Sequence, residues 1–161
     1  MSKLFETSMI NGMELSNRFV RSATWEGMAT ADGAVTSKLI ETMTALARGG
    51  VGLIISSHAY VRPEGQAAPS QLGIYKDELI QGLQEMTKAV HDSGGKIIMQ
   101  LAHAGNFAAK QLIGQPPLVV SDFEGLASSP RQEITTQGIR EIVSAFADAA
   151  RRAKSAGFDG V

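Results

Sequence analysis

Residues 96–106 read Lys-Ile-Ile-Met-Gln-Leu-Ala-His-Ala-Gly-Asn and directly follow the pair Gly94-Gly95. An unbroken apolar run after a Gly-Gly turn predicts a strand buried on both faces, and such strands belong mostly to parallel sheets. Gln100 and His103 are the polar exceptions near the end of the run, where parallel strands give way to the loops that carry chemistry in α/β proteins. A buried amide needs hydrogen-bond partners, and the edge of a flat heteroaromatic ring would supply them.

Composition limits the classes of function. The sequence has 161 residues, a formal net charge of -1, and no cysteine. The length suffices for one domain with a sizeable core, and the charge gives no electrostatic argument for a nucleic-acid or anionic-membrane partner. Without cysteine, this sequence can form no disulfide, thiolate metal site or cysteine nucleophile. No apolar run approaches the roughly 20 residues that span a bilayer, and no signal peptide is recognisable, so we expect a cytoplasmic protein with no bound metal.

The sequence before this strand alternates between short apolar runs and amphipathic stretches. Residues 18–22 and 51–57 predict two earlier strands. A helix with apolar residues at helical spacing follows each of them, the first capped by Thr36 or Ser37 and the second by Asp77. Because crossovers through helices require parallel pairing, this order predicts an α/β fold.

The C-terminal part of the sequence predicts a third helix that starts at Thr135 or Thr136. Its apolar stripe has the cleanest helical spacing in the chain and consists of Ile139, Val143, Phe146, Ala150 and Ala153. Residues 158–161 then begin a fourth strand. Eight strand–helix units make a TIM (β/α)8 barrel of roughly 250 residues, so we expect a partial barrel with about three βα units and the start of strand four.

Turn signals define the remaining segments. Asn11-Gly12 predicts an N-terminal β-hairpin with strands at residues 6–10 and 13–15, which would cover one end of the strand array. Residues 62–73 are too long for a plain connector and are a candidate functional loop. Another long loop follows Asn106, with a short extended piece at residues 118–120 and a turn at Ser128-Ser129-Pro130.

Four segments carry a family resemblance. They are residues 17–24 (Asn-Arg-Phe-Val-Arg-Ser-Ala-Thr), 52–55 (Gly-Leu-Ile-Ile, before a Pro-x-Gly loop), 100–105 (Gln-Leu-Ala-His-Ala-Gly) and 156–161 (Ala-Gly-Phe-Asp-Gly-Val). In this order they resemble the Old Yellow Enzyme family of NAD(P)H:flavin oxidoreductases. The Gln-Leu-x-His-x-Gly element is quite specific at this position, whereas the glycine-bounded helix ends are generic to α/β barrels.

The resemblance implies that residues 1–161 are the N-terminal portion of a single FMN-binding TIM-barrel domain. The parent enzyme would transfer hydride from NADH or NADPH through the flavin to an electron-poor alkene such as an α,β-unsaturated carbonyl. The implied partner is a small-molecule substrate, without nucleic acid or membrane, and the implied assembly is a homo-oligomer. The fragment alone is expected to be inactive.

The resemblance also implies which residues contact FMN: Ser22, Ala23, Thr24, Trp25, His58 and Gln100. The first four match the end of strand one, which lies against the flavin in family members. His58 matches a flavin contact after strand two, and Gln100 matches the glutamine that hydrogen-bonds the pyrimidine edge of the isoalloxazine. The substrate-anchoring pair and the phosphate-binding arginines would lie beyond Val161, so no catalytic residue is assigned within the chain.

Four positions depart from the family pattern. Family members often have proline where this chain has Ala23, and cysteine or threonine where it has Trp25. Many have tyrosine in place of Gly27 and arginine in place of Asn106. Since an indole offers neither a thiol nor a hydroxyl, we expect redox tuning and substrate preference to differ from those of the typical member.

Ordinary structural roles stay open for several polar residues. His103 would hold the turn after its strand through backbone hydrogen bonds, and His91 would interact with the C-terminal dipole of its helix. Glu26 would be a solvated loop carboxylate. Trp25 could stack on a ligand or fill the barrel mouth, and the helical methionines would fill the core.

Two other functions are compatible with the sequence. The chain could be a non-catalytic folding or assembly module, because a partial barrel has unpaired sheet edges that invite pairing with another copy. It could also belong to a flavoenzyme resembling 2,4-dienoyl-CoA reductase, which further domains and cluster-binding cysteines after Val161 would support.

Overall fold

The computed structural model describes residues 3–121 and 130–161, so the predicted turn at Ser128-Ser129 lies outside the described part. The fold is mixed α/β. Its central sheet contains β3 (Val20–Arg21), β4 (Leu53–Tyr60) and β5 (Ile97–Ala102), which are parallel and adjacent in that order. Sequential order in a parallel sheet is the expected result of helical crossovers.

Two helices provide those crossovers. Helix α1 (Ser37–Arg48) connects β3 to β4, and helix α2 (Ile80–Asp92) connects β4 to β5. Thr36 is the N-cap of α1, as predicted, because its side chain accepts a hydrogen bond from the Leu39 N–H at 3.3 Å.

The predicted cap of the second helix is wrong. A single 3-10 turn, Asp77–Leu79, precedes α2, and no side chain caps that helix. The Asp77 carboxylate instead accepts a hydrogen bond from Arg152 at 2.5 Å. A tertiary ion pair has thus replaced the local capping interaction that the sequence favoured.

The N-terminal hairpin is confirmed. Strands β1 (Ser8–Ile10) and β2 (Met13–Leu15) pair antiparallel around Asn11-Gly12. The φ angles of Asn11 and Gly12 are 45° and 85°, as a two-residue hairpin turn of this type requires. Strand β1 begins at Ser8 rather than at residue 6.

The strand boundaries differ from the prediction at β4. This strand begins at Leu53 and continues to Tyr60, whereas the apolar run predicted an end at residue 57. The register shifts between Ile55 and His58, where an irregularity interrupts the ladder with β5. His58 therefore lies inside the strand and not after it.

The core lies between one face of the sheet and the helices. The strands contribute Ile54, Ala59, Ile97 and Met99, and the helices contribute Leu39, Met43, Leu83, Met86 and Val90. All of these side chains are buried, including the two helical methionines that were predicted to fill the core. The other face of β5 is open, so the predicted burial on both faces is wrong for the described chain.

Short elements occupy the long loop after β5. Helix α3 (Lys110–Ile113), which the sequence pattern did not predict, is followed by β6 (Leu118–Val119). Strand β6 pairs in parallel with β7 (Gln132–Glu133), in agreement with the extended piece predicted at residues 118–120. None of the helices in residues 3–121 and 130–161 is long and apolar enough to cross a membrane.

Helix α4 (Thr136–Ser155) has Thr135 as its N-cap, within the predicted start, but its burial differs from the prediction. Ile139 and Val143 of the predicted stripe are 49% and 64% exposed. The buried positions are small residues near the C-terminal end, Ala149 and Ala153. Small side chains let α4 approach α2 closely. Ile139 and Val143 have no cover in the described chain, whereas Phe146 of the stripe packs partly buried against the core and Ala153 is buried as predicted.

The residues after α4 begin a further parallel pairing with β5. Gly160 forms a parallel bridge with Ile98, and the Asp159 carboxylate accepts a hydrogen bond from the Ile97 N–H at 2.9 Å. Burial raises the pKa of Asp159, but this bond and those from His91 and Lys96 outweigh burial and hold the pKa below its usual value. His91 thus contacts a carboxylate at 2.8 Å in addition to lying near the end of its helix.

Candidate functional site

Polar residues gather where the three parallel strands end. Residues 22–25 follow β3, His58 lies near the end of β4, and Gln100 lies in the second half of β5. His58 and Gln100 are register partners in the β4–β5 ladder. Side chains paired in register point to the same face of a sheet, so these two lie side by side. The structure therefore brings the sequence-predicted residues together at the carboxyl-terminal ends of the three strands.

The environment of Gln100 differs from the prediction of a buried amide. Gln100 is exposed, while its neighbours Met99 and Leu101 point to the helix-covered face. No hydrogen bond to the Gln100 side chain exists within residues 3–121 and 130–161. Both donors and the acceptor of this amide thus face open space, on the face of the sheet opposite the core.

The sequence predicted a buried amide at Gln100, but the buried amide near the strand ends is that of Gln71. Its side chain is fully buried, and its Oε1 accepts hydrogen bonds from the N–H groups of Ala67 and Ala68 at 2.7 and 3.3 Å. Its Nε2 donates to the carbonyl of His58 at 3.1 Å. Gln71 therefore holds the candidate functional loop against β4 at His58. The sequence placed this glutamine in a long polar loop, and no local pattern distinguishes it from its neighbours.

An ion pair closes the segment after β3. Arg21 donates a hydrogen bond to Glu26, and the two side chains are 17% and 5% exposed. The second guanidinium nitrogen, Nη1, donates to the carbonyl of Ile55 on β4 at 3.1 Å. Oε2 of Glu26 is buried and has no partner in the described part of the chain. The prediction that Glu26 is a solvated carboxylate is therefore wrong.

Residues 22–25 form the segment that this ion pair closes. Thr24 Oγ1 donates to the Ser22 carbonyl at 3.2 Å, and Trp25 is 48% exposed. Gly27 has a φ of +61°, and a Cβ added there would lie 3.2 Å from the Trp25 ring. The indole thus lies back over the Gly27 backbone, so the two departures from the family pattern, Trp25 and Gly27, fit one another sterically.

His58 is held in its neutral form. Burial lowers its pKa, and the nearby Glu26 carboxylate opposes that effect in part. Because the ordinary value is already below neutral pH, the imidazole is uncharged there. A neutral ring can donate a hydrogen bond from one nitrogen and accept one at the other.

His103 has the turn-holding role that the sequence suggested. The Gly105 N–H donates to His103 Nδ1 at 3.0 Å, which fixes the proton of the neutral ring on Nε2. Burial also lowers the pKa of His103. The ring packs so closely on Gly65 that an added Cβ there would lie 2.6 Å from it. His103 therefore joins the end of β5 to the loop after β4.

The arrangement offers hydrogen-bond donors and acceptors that a planar heteroaromatic ligand would need. Clusters of three or more metal-binding side chains are absent from residues 3–121 and 130–161. The exposed Gln100 amide supplies donors and an acceptor without a partner among the described residues, and Ser22 and Ala23 have small side chains. This donor set matches the edge of a flavin ring, which carries carbonyl acceptors and ring nitrogens.

Comparison with known proteins identifies the family of this chain. The model of the NADH:flavin oxidoreductase / NADH oxidase family matches residues 3–161. The chain belongs to this family, and the resemblance to Old Yellow Enzymes is confirmed. FMN is accordingly the cofactor, and a reduced nicotinamide the reductant, that the comparisons support.

Relatives show how much of a larger protein the chain represents. A metal reductase of Desulforamulus reducens is 40% identical, with 100% of this chain and 24% of the relative covered. An NADH oxidase of Thermoanaerobacter brockii is 39% identical, with coverage of 98% and 25%. An Old Yellow Enzyme homologue from Zymomonas mobilis superposes with a TM-score of 0.88 at 29% identity, with coverage of 99% and 47%. The chain thus spans about a quarter of the curated relatives and about half of the solved structure.

Proposed function

We propose that residues 1–161 are the N-terminal portion of a single FMN-binding TIM-barrel domain. In this proposal the hairpin is followed by about three βα units, and Gly160 begins strand four. Support comes from the parallel order β3–β4–β5, from the bridge between Ile98 and Gly160, and from the fit to the Old Yellow Enzyme homologue. The remaining strands would cover the open edges of the sheet and the exposed stripe of α4.

We further propose that the whole protein transfers hydride from NADH or NADPH through FMN to an electron-poor alkene such as an α,β-unsaturated carbonyl. The observation that carries this proposal is the register pair His58 and Gln100, whose polar side chains lie together on the open face of the sheet. When bound, FMN supplies the hydride chemistry, while the protein supplies binding and orientation. We place the protein in the cytoplasm as a homo-oligomer.

The chain's own residues would bind and orient the flavin. Gln100 would donate to the pyrimidine carbonyls, and a hydrogen bond of about 1 to 3 kcal/mol to a charged acceptor would favour negative charge at that edge. Ser22, Ala23, Thr24 and Trp25 would line the ring from the end of β3. His58, neutral at physiological pH, would contact the ring without adding a positive charge.

The function is tested by the absorption spectrum of the complete purified protein, recorded together with its intact mass. We expect flavin bands between about 350 and about 500 nm that bleach anaerobically when NADH or NADPH is added and return when an enone substrate follows. A folded protein that neither contains nor takes up FMN would refute the proposal and favour the non-catalytic assembly module.

Replacement of Gln100 by leucine tests the ring-edge contact. We expect Gln100→Leu to weaken FMN binding about tenfold, because a hydrogen bond worth about 1.4 kcal/mol is lost. Fluorescence titration of the apoprotein with FMN measures this effect. Gln81→Leu is the control, because Gln81 is also exposed but lies on helix α2, which packs on the opposite face of the sheet. Equal FMN affinities for the two variants would show that Gln100 does not contact the flavin.

A second candidate is a larger flavoenzyme resembling 2,4-dienoyl-CoA reductase. The observation that favours it is the sequence identity of 40% and 39% to two relatives of which the chain covers about a quarter. The identity to the Old Yellow Enzyme homologue is lower, 29%. Such proteins are longer than a single barrel. Iron and acid-labile sulfide in the complete protein, together with reduction of a dienoyl-CoA in preference to a simple enone, would select this candidate.

A further inference from the structure

The pair Arg21 and Glu26 brackets the segment that carries four of the six proposed flavin contacts, Ser22 to Trp25. Arg21 is the last residue of β3, and Glu26 lies five positions later. Their hydrogen bond therefore closes a short loop at the end of the strand. Because both side chains are almost inaccessible, solvent weakens this ion pair far less than it weakens an exposed one.

The pair is also connected to the neighbouring strand. Arg21 Nη1 donates to the carbonyl of Ile55 on β4, just before the register irregularity that precedes His58. One guanidinium thus binds the loop through Nη2 and the second strand through Nη1. A lysine at this position, with a single ammonium group, could not reproduce this planar fork.

We propose that Arg21 and Glu26 are positioning residues that hold the loop 22–25 in the conformation that receives the flavin. The inference depends on the proposed FMN function. Neither residue needs to contact FMN, because the pair acts through the loop between them. A loop fixed before binding loses less conformational entropy when the ligand arrives, so the pair would increase FMN affinity.

The unpaired oxygen of Glu26 supports a role beyond simple stability. Oε2 is buried without a partner among the described residues, which costs stability, whereas a purely structural ion pair would be expected to satisfy both carboxylate oxygens. The carboxylate also opposes in part the lowering of the His58 pKa that burial causes. Glu26 is therefore coupled to two of the three strand ends that carry proposed contacts, those of β3 and β4.

The chain offers a comparison pair outside the segments that carry the proposed flavin contacts. Arg152 donates to Asp77 at 2.5 Å and to the carbonyl of Ile74 at 3.4 Å, so it also joins a carboxylate and a backbone carbonyl. Arg152 is 14% exposed, similar to Arg21 at 17%, whereas Asp77 is 62% exposed and Glu26 only 5%. No proposed flavin contact lies between Ile74 and Asp77.

The test compares Glu26→Gln, Arg21→Gln, the double variant and Asp77→Asn in the complete protein. FMN affinity is measured by titration of the apoprotein, and the melting temperature of each apoprotein is measured in parallel. We expect Glu26→Gln to weaken FMN binding about tenfold, while Asp77→Asn lowers the melting temperature and leaves FMN affinity unchanged. The double variant should bind FMN as weakly as either single variant, because the two residues act as a unit.

Several results would overturn the inference. They are unchanged FMN affinity in Glu26→Gln, an equal loss in Asp77→Asn, or losses that add in the double variant. If Glu26→Gln does not fold, the double variant, which leaves no unpaired buried charge, is compared with Asp77→Asn instead. A wild-type protein that binds no FMN would refute the proposed function itself, whereas FMN binding that is insensitive to these substitutions refutes the positioning role alone.

Discussion

Gln71→Leu is expected to lower the free energy of unfolding by about 4 kcal/mol. The substitution removes three hydrogen bonds and leaves the N–H groups of Ala67 and Ala68 and the carbonyl of His58 without their partner. Each buried group left unpaired costs about 1 to 3 kcal/mol. Leucine is similar in size, so the loss reports polar pairing rather than a cavity. Urea denaturation of the complete protein measures the effect.

Gln66→Leu is the matched control for this prediction. Gln66 lies in the same loop and is also buried, but among the described residues its side chain makes one hydrogen bond, from Nε2 to the Ala68 carbonyl at 3.2 Å. We expect a loss of about 1 kcal/mol. Similar losses for the two variants would show that Gln71 has no special role in holding the loop to β4.

Gly33→Ala is expected to destabilise the protein by a comparable amount, about 4 kcal/mol. Gly33 has a φ of +85°, and a Cβ there would lie 2.7 Å from the Tyr60 hydroxyl and 2.8 Å from the Gly73 backbone nitrogen. The left-handed conformation costs an alanine about 1 to 2 kcal/mol. The overlap adds about 1 to 3 kcal/mol, because a backbone atom cannot rotate away as a flexible side chain can.

Gly94→Ala separates these two contributions. Gly94 has nearly the same φ, +78°, but nothing lies within 4 Å of an added Cβ. We expect it to cost about 1 kcal/mol, the conformational part alone. The same denaturation experiment measures both variants. If Gly33→Ala were no more costly than Gly94→Ala, the close approach of the residue 33 backbone to β4 and the loop after it would not be important for stability.

Much of the fold could be predicted from local sequence patterns. The Asn11-Gly12 turn, the Thr36 cap and the apolar strand at residues 97–102 each follow from the intrinsic preference of a few consecutive residues. Helical crossovers then fix parallel pairing without further information. Tertiary interactions changed the details, because the carboxylate of Asp77 bonds Arg152 and not the first turn of its own helix.

Part of the candidate site was also predictable, from the order of the strands and not from local sequence patterns. Residues that end neighbouring parallel strands must lie near one another, so the proximity of His58 and Gln100 followed from the order of the strands. The roles of the two glutamines were not predictable in this way. Gln100 lies within an apolar run and is nevertheless exposed, whereas Gln71 lies in a polar loop and is buried.

The sequence by itself determined the order of elements, the parallel sheet and the family, because these depend on local propensity, hydrophobic period and short motifs. The tertiary structure decided which polar groups are buried and paired. Glu26 binds Arg21 across a turn, Gln71 binds the His58 carbonyl across 13 positions, and Asp77 binds Arg152 across 75 positions. Such pairs depend on where distant segments meet in space. Two side chains of one type therefore differ in burial and in hydrogen-bond partners only after the chain has folded.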